Sequence, residues 1–362
     1  MRIHQLTLAA VLTVAIGALI AATLIRETTG MPQTPRVTGA LPIEGELPSF
    51  RGATEWLNSP PLTAADLRGK VVLVEFWTYT CINWRRTLPY VSAWAEKYKD
   101  KGLVVIGVHT PEFSFEKDST NVRRAATEIG IHFPIAIDSD YAIWDSFHNQ
   151  YWPALYFVDV QGHIRHHQFG EGEYAHSEAI IQQLLSEAGN AGVGRDLVSV
   201  VASGVEAAAD WAYLKSPETY LGYERSRSFA SAGGARLDES RVYAGPARLE
   251  LNQWALLGEW KIGKEAAVLT RANGRIVYRF HARDLNLIMG TATRGASVRF
   301  RVLIDGQPPG AAHGIDVDDH GNGTVTEPRT YQLIRQRPPI ADREFEIEFL
   351  DSGVETLDFT FG

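Results

Sequence analysis

The sequence predicts an α/β domain followed by an all-β domain, with a transmembrane helix ahead of both. Three observations lead to this prediction. Apolar, β-branched runs alternate with helical patterns from about residue 71 to residue 188. Short strands separated by turn residues dominate from about residue 267 onwards. Residues 6–25 carry no charged side chain, and a helix of about 20 apolar residues is long enough to span a bilayer.

The apolar run favours an uncleaved anchor, because it is longer than a usual signal-peptide core and lacks a convincing cleavage site. Arg2 precedes it and Arg26 follows it, so the remainder of the chain is expected on the extracytoplasmic side, in a bacterium the periplasmic side of the inner membrane. A cleaved signal with secretion is the alternative. The predicted segments are an anchor or signal (1–28), a polar linker (29–45), the α/β domain (46–189), a Gly/Ala-rich linker (190–204) and a β-sandwich (205–362).

The α/β segment is expected to contain five strands and four helices. The predicted strands are 71–77, 103–108, 133–137, 154–160 and 163–169, and the predicted helices start near 81, 119, 141 and 177. The first helix is expected to be kinked or interrupted at Pro89. In the β segment, Ala267–Arg271 and Ile276–Ala282 are predicted to form a hairpin around Gly274.

A single cysteine, Cys81, is the leading candidate for chemistry. One cysteine in 362 residues excludes an intrachain disulfide. Cys81 is predicted to open a helix, where unpaired backbone N–H groups and a partial positive charge stabilise a thiolate. Arg85 and Arg86 lie one turn further on, so we expect a thiol more acidic than an ordinary cysteine. The alternative is an inert, buried cysteine.

Two further residues are candidates beside Cys81. Glu75 is a carboxylate inside an otherwise apolar strand, on the face that Trp77 shares. It is interpreted as a proton acceptor and donor whose pKa is raised by burial, with a structural pairing to Lys or Arg as the alternative. Pro153 directly precedes a strand, and base frequencies alone favour a trans bond between Trp152 and Pro153.

The segment Val71–Pro89, VVLVEFWTYTCINWRRTLP, resembles the active-site segment of thioredoxin-like domains. It is most similar to the TlpA-related group at the C-terminal end of DipZ proteins. The resemblance implies a thioredoxin fold, with Cys81 as nucleophile, Glu75 at the family's buried carboxylate and Pro153 on its cis-proline. The other motif positions are Trp77, Arg85, Trp152 and Trp84, which stands where the family has its second cysteine.

The C-terminal half carries a second resemblance. The segments 216–223, 280–285, 316–318 and 321–324 look like the appended domain of DipZ proteins, which is similar to a carbohydrate-binding β-sandwich. This resemblance implies a glycan as a further partner. Trp254, Trp260 and Tyr278 are candidates for an aromatic sugar platform, although packing in the core is the favoured interpretation.

The leading functional hypothesis is thiol–disulfide exchange through one cysteine, which forms mixed disulfides with partner proteins. A redox-inactive scaffold and a one-cysteine peroxidase are the alternatives. No cofactor is expected. No metal site is expected either, because period two places His163 and His167 on one strand face and His166 on the other. A formal net charge of -8 argues against a nucleic-acid partner.

Overall fold

A computed structural model describes residues 39–190 and 192–362. A mixed sheet with four α-helices comes first and an antiparallel all-β domain follows, so the predicted order is confirmed. The predicted anchor at 6–25 lies outside the described residues. Among the helices that are described, none combines the length and the apolar character needed to cross a membrane.

The first domain is built on a seven-stranded sheet. Its strands are β1 (Gly45–Glu46), β2 (Glu55–Leu57), β3 (Val71–Trp77), β4 (Leu103–His109), β5 (Ile135–Ile137), β6 (Ala154–Val158) and β7 (His163–Phe169). Its helices are α1 (Ile82–Tyr98), α2 (Ser119–Ile129), α3 (Ala142–Ser146) and α4 (Tyr174–Glu187). The strand order is β1-β7-β6-β3-β4-β5-β2, with β3 parallel to β4 and antiparallel to β6.

Strand β3 positions the candidate site because it lies at the centre of this sheet and runs directly into the loop before α1. Alternate residues of β3 face opposite layers. Leu73 and Trp77 pack under α1, whereas Val74 and Phe76 pack on the layer that contains α3. The structure corrects one part of an expectation here: α1 is not interrupted at Pro89 and continues as one helix from Ile82 to Tyr98.

The second domain, called the β domain below, contains eleven strands. They are β8 (Thr219–Tyr220), β9 (Ser240–Tyr243), β10 (Trp254–Ile262), β11 (Ala267–Leu269), β12 (Gly274–Phe280), β13 (Asp284–Thr291), β14 (Val298–Ile304), β15 (Asn322–Val325), β16 (Arg329–Arg335), β17 (Arg343–Phe349) and β18 (Val354–Phe361). The main path is β15-β14-β17-β12-β10-β11-β18-β13-β16, while β8 pairs with β18 and β9 with β10.

The hairpin predicted between β11 and β12 is wrong, because both strands pair with β10 instead of with each other. The first half of β10 pairs with β12 and its second half with β11. Gly258 separates the halves with a φ of 96°, a backbone conformation that glycine adopts freely. This turn within β10 makes the β domain one continuous, curled sheet.

The aromatic residues considered for a sugar platform belong to the core of the β domain. Trp254, Trp260 and Tyr278 are all 0% exposed. Large aromatic side chains contribute most to stability when they are fully buried, which is the role that these three have. They offer no surface for a glycan, so core packing is confirmed and the aromatic-platform interpretation is wrong.

The two domains pack together at the loop that follows β4. Phe113 of this loop is 1% exposed and packs against Ile288 and Leu357 of the β domain. The hydroxyl of Thr330 donates a 2.6 Å hydrogen bond to the carbonyl of Thr80, the residue before Cys81. The β domain is therefore part of the surroundings of the candidate site.

We predict that Phe113→Ala lowers the free energy of unfolding by about 3–5 kcal/mol, because it leaves a cavity between the domains. Urea unfolding followed by tryptophan fluorescence measures this change. Phe169→Ala is the matched control, since Phe169 is 39% exposed and its truncation should cost less than about 1 kcal/mol. Equal effects of the two substitutions would show that the interface contributes little.

Candidate active site around Cys81

Cys81 lies at the N-terminal end of α1, as the sequence predicts. Its backbone N–H donates to the carbonyl of Thr78 at 3.2 Å, and its carbonyl accepts the N–H of Arg85 at 3.0 Å. The first-turn amides of Asn83 and Trp84 face the sulfur and favour the thiolate, so they act to lower the pKa of the thiol. The residue as a whole is partly exposed.

The expected acidic thiol is nevertheless contradicted. Burial of the sulfur among protein atoms raises the pKa of Cys81 well above its ordinary value, and the carboxylates of Glu112 and Glu218 raise it further. The two arginines that were expected to offset this are engaged elsewhere. Arg85 pairs with Glu206 at 2.8 Å, and Arg86 pairs with a glutamate of the loop after β7 at 3.0 Å.

The Trp152–Pro153 bond lies directly opposite the sulfur and is cis, as the family resemblance implies. The carbonyl oxygen of Trp152 is 3.8 Å from the Sγ atom of Cys81. The Trp152 indole donates to the carbonyl of Thr110 at 3.0 Å, and its ring lies 4.3 Å from the ring of Trp144, centroid to centroid. These contacts hold the backbone of Trp152 beside the thiol.

Trp84 occupies the interior of the site and does not shield the thiol from solvent. Its ring is 0% exposed and stacks on Trp77 with centroids 4.4 Å apart and planes inclined by 27°. The position at which the resembled family has a second cysteine is thus occupied by a tryptophan ring that packs in the core. Because this side chain packs inward, it would not cover a mixed disulfide at Cys81 from outside.

Glu75 lies next to Trp84 in the same interior. Its side chain is 0% exposed, and neither carboxylate oxygen has a hydrogen-bond partner of good geometry among the described residues. Burial raises the pKa of Glu75 to about 8, and the indole of Trp84 acts weakly in the opposite direction. No lysine or arginine of the described chain pairs with it, so the structural-pairing alternative finds no support.

His109 is a buried residue of the site that sequence reasoning missed. It is fully buried at the end of β4, packs edge-on against Trp77 at 4.8 Å and stacks on Tyr79 at 5.8 Å, centroid to centroid. Burial lowers the pKa of His109 to about 3, so the ring is neutral at physiological pH. Its sequence context is that of a plain apolar strand, which carried no signal of this placement.

Glu116 was also missed, and it joins the loop before α1, at Thr80, to the loop after β4, at Phe113. Its Oε1 atom accepts the hydroxyl of Thr80 at 2.6 Å, and its Oε2 atom accepts the backbone N–H groups of Glu112 and Phe113 at 2.7 and 3.0 Å. Burial raises the pKa of Glu116 to about 7. A carboxyl that caps a short turn three to four residues earlier is the only local signal for this role.

Glu112 connects the site to the β domain. Its Oε1 atom accepts the hydroxyl of Tyr220 at 2.7 Å and the Nη1 group of Arg225 at 2.8 Å. The guanidinium of Arg225 lies 3.6 Å from the centre of the Tyr220 ring. Together with Trp152, whose carbonyl oxygen lies 3.8 Å from the Sγ atom of Cys81, these residues line a cleft of about 120 Å³ between the two domains.

We predict that Cys81 reacts as a weakly acidic thiol. The rate of alkylation by iodoacetamide follows the thiolate fraction, so its midpoint should lie above the value of about 8.5 for a free cysteine. The measurement is loss of free thiol against pH, with Cys81→Ser as the blank. A midpoint below the free value would show that the helix N-terminus dominates over burial.

We also predict that Glu75→Gln stabilises the protein increasingly as the pH rises. The folded state keeps a proton on Glu75 up to a pKa of about 8, whereas a solvated glutamate releases it near pH 4.3. The free energy of unfolding of the wild type therefore decreases as the pH rises from about 4.3 to about 8. The gain from Glu75→Gln should be about 2–4 kcal/mol larger at pH 8 than at pH 5.

Urea unfolding of both proteins at the two pH values measures this difference. Glu96→Gln is the matched control, because the side chain of Glu96 on α1 is 75% exposed and should show no such dependence. A gain from Glu75→Gln that is independent of pH would mean that Glu75 is ionised in the folded protein.

Comparison with known proteins gives matches to both domains. Residues 43–167 match the AhpC/TSA family, and residues 216–362 match the family described as the thioredoxin-like C-terminal domain. Protein DipZ of Mycobacterium bovis and of Mycobacterium tuberculosis is 36% identical over 330 residues, which is 90% of this chain. The chain spans 44% of the length of each of these two relatives.

A smaller relative matches almost along its whole length. The thiol-disulfide oxidoreductase YkuV of Bacillus subtilis is 33% identical over 141 residues, which is 39% of this chain and 95% of that protein. Among solved structures, the "Solution Structure of a Thioredoxin-like Protein in the Oxidized Form" is 33% identical and covers 40% of this chain and 96% of its own, with a TM-score of 0.36.

Proposed function

Because this chain belongs to the thioredoxin-like family of thiol–disulfide oxidoreductases, we propose that it exchanges thiols and disulfides with partner proteins through Cys81 alone. The matches confirm the resemblance read from the segment around Cys81. One observation carries the proposal: Cys81, a residue that is partly exposed as a whole, lies at the N-terminal end of α1 with its Sγ atom 3.8 Å from the carbonyl oxygen of Trp152 that precedes Pro153.

The proposed reaction has two exchange steps at Cys81, formation of a mixed disulfide and its cleavage. The thiolate of Cys81 attacks one sulfur of a partner disulfide, the partner's S–S bond breaks, and its other sulfur leaves as a thiolate. A mixed disulfide between Cys81 and the partner results. An external thiol then attacks this bond, because the buried indole of Trp84 stands where a resolving cysteine would act.

Three residues have roles in this proposal. Cys81 is the nucleophile, and the turn at Pro153 aligns the partner through the backbone of Trp152. Glu75 holds a proton in the interior behind Trp84, and its pKa of about 8 supports exchange of that proton near neutral pH. Partner proteins with accessible thiols or disulfides are the proposed substrates.

The location is part of the proposal. The apolar run at 6–25 supports an anchor that tethers both domains on the extracytoplasmic side of a membrane. Disulfides persist in that compartment, so partner disulfides would be present there.

A redox-inactive scaffold is the second candidate, and one observation favours it. The raised pKa of Cys81 leaves little thiolate at neutral pH, which slows attack on any disulfide. The same observation disfavours a one-cysteine peroxidase, since peroxide reduction also needs a thiolate.

We predict that the wild-type protein, incubated with an excess of glutathione disulfide at pH 8.5, accumulates one glutathione adduct per chain that disappears in dithiothreitol. The physical reason is that no neighbouring thiol resolves the mixed disulfide. Intact-protein mass spectrometry detects the adduct, and Cys81→Ser should form none. Absence of adducts in the wild type would favour the scaffold.

Trp84→Cys extends this test, since it should restore internal resolution and raise insulin-reduction turnover with added glutathione at least about tenfold. The substitution also opens a cavity, so folding is checked by circular dichroism. Trp84→Ala is the matched control, because it opens a similar cavity without adding sulfur. Equal turnover of Trp84→Cys and Trp84→Ala would contradict the proposed exchange chemistry.

A further inference from the structure

The β domain presents one row of side chains to the loops around Cys81. Tyr220 of β8 pairs with Asp358 of β18, Asp358 with Ile288 of β13, and Ile288 with Thr330 of β16. Directly paired residues on adjacent strands point to the same face of a sheet. These four side chains therefore form a continuous row across four strands.

Both ends of the row contact the candidate site. At one end the hydroxyl of Tyr220 donates to Glu112, and at the other end the hydroxyl of Thr330 donates to the carbonyl of Thr80. Ile288, between them, packs on Phe113. The row thus spans the loops that flank Cys81, and it holds Glu112 in place with a side chain that is only 7% exposed.

A second carboxylate comes from the β domain itself. Glu218 lies beside Asp358. Burial raises the pKa of both carboxyls, and a hydrogen bond between the two raises the pKa of Asp358 further and lowers that of Glu218. Asp358 is 0% exposed, and burial raises its pKa well above the ordinary range, so it keeps its proton. Burial raises the pKa of Glu218 as well, but its hydrogen bond with Asp358 acts in the opposite direction, so Glu218 is the member of the pair that releases its proton first.

The cations near Cys81 do not offset these charges equally. Arg225 pairs with Glu112 at 2.8 Å and offsets part of its charge, although the Arg225 side chain is 41% exposed and the Glu112 side chain only 7%. Arg85 is committed to Glu206, and Arg329 pairs with Asp316 at 2.6 Å.

Lys264 lines the same cleft as Glu112, and it pairs there with Glu224 at 3.3 Å. The other titratable groups described around the thiol add no positive charge. Glu75 lies behind Trp84, Glu116 is bound to Thr80, and His109 is neutral because burial lowers its pKa to about 3.

We propose that the β domain controls the reactivity of Cys81: Glu112, held in place by Tyr220 and Arg225, and Glu218, supplied by the β domain, add to burial in keeping the sulfur in its neutral thiol form. A partner that brings positive charge into the cleft between the domains relieves this restraint. The preferred partner segment therefore carries lysine or arginine next to its cysteine. This inference deepens the proposed function and rests on it for the reaction that is controlled.

Glutamine variants test the restraint on the thiol itself. Glu112→Gln and Glu218→Gln each remove one negative charge near Cys81, so each should lower the midpoint of iodoacetamide alkylation and speed the reaction at pH 7 about three- to tenfold. Asp358→Asn replaces one neutral group by another and should leave the rate within about twofold of wild type. Glu348→Gln, whose side chain pairs with Arg301 at 3.3 Å on β14, is the matched surface control.

Charged reagents separate local potential from thiolate fraction. Trimethylammonioethyl and sulfonatoethyl methanethiosulfonate both transfer an alkylthio group to the thiolate and release a sulfinate, so the ratio of their rates does not depend on the thiol pKa. The ratio of the cationic to the anionic reagent's rate is divided by the same ratio measured with 2-mercaptoethanol. For the wild type this normalised ratio should exceed one, which means that the protein favours the cationic reagent. That preference should fall at least about threefold in Glu112→Gln and Glu218→Gln.

The outcomes are distinct from those of the exchange assays, because these reagents need no partner protein and no turnover. Glu218 is exposed, so Glu218→Gln is expected to fold, and near-ultraviolet circular dichroism checks both variants. The proposal is overturned if Glu112→Gln and Glu218→Gln retain the wild-type midpoint and the wild-type reagent ratio. It is also overturned if Asp358→Asn produces the same change as Glu218→Gln.

Discussion

The contact between the outer face of the β domain and the loops at Thr80 and Phe113 is the constraint on which the rest of the site depends. Phe113 is almost fully buried there, and the hydroxyl of Thr330 is bonded to the residue just before Cys81. A thiol at the end of a surface helix would ordinarily be surrounded by water on one side. Here the second domain occupies part of that side, so burial and charge at Cys81 are properties of the interface between the domains.

This interface outweighs the effect of the helix N-terminus on the pKa of Cys81. The first turn of α1 directs the amides of Asn83 and Trp84 at the sulfur, and both favour the thiolate. Removal of water from the sulfur disfavours the thiolate by more than these two amides favour it, and two carboxylates disfavour it further. The helix N-terminus thus sets the place of the thiol, whereas the packed surroundings set its ionisation.

Trp84 and Glu75 together fill the space behind the thiol. The indole of Trp84 stacks on Trp77 and fills the volume behind the thiol, which preserves close packing. Glu75 remains fully buried beside it, although a neutral carboxyl without a good hydrogen-bond partner is destabilising. The presence in an apolar strand of a buried carboxyl, unpaired within the described chain, is the clearest sign that stability alone does not determine this position.

The sequence by itself determined the order of the two domains, strand β3 and the helix start at Cys81, because apolar periodicity and the residues that bound it act over a few neighbours. It also placed Glu75 and Trp77 on one face. Only the tertiary structure decided that β10 pairs with both β11 and β12, that Trp84 packs inward, and that Glu112 and Glu218 act on Cys81. These features depend on long-range contacts, and no local pattern records which distant surface will remove water from a side chain or bring a charge beside it.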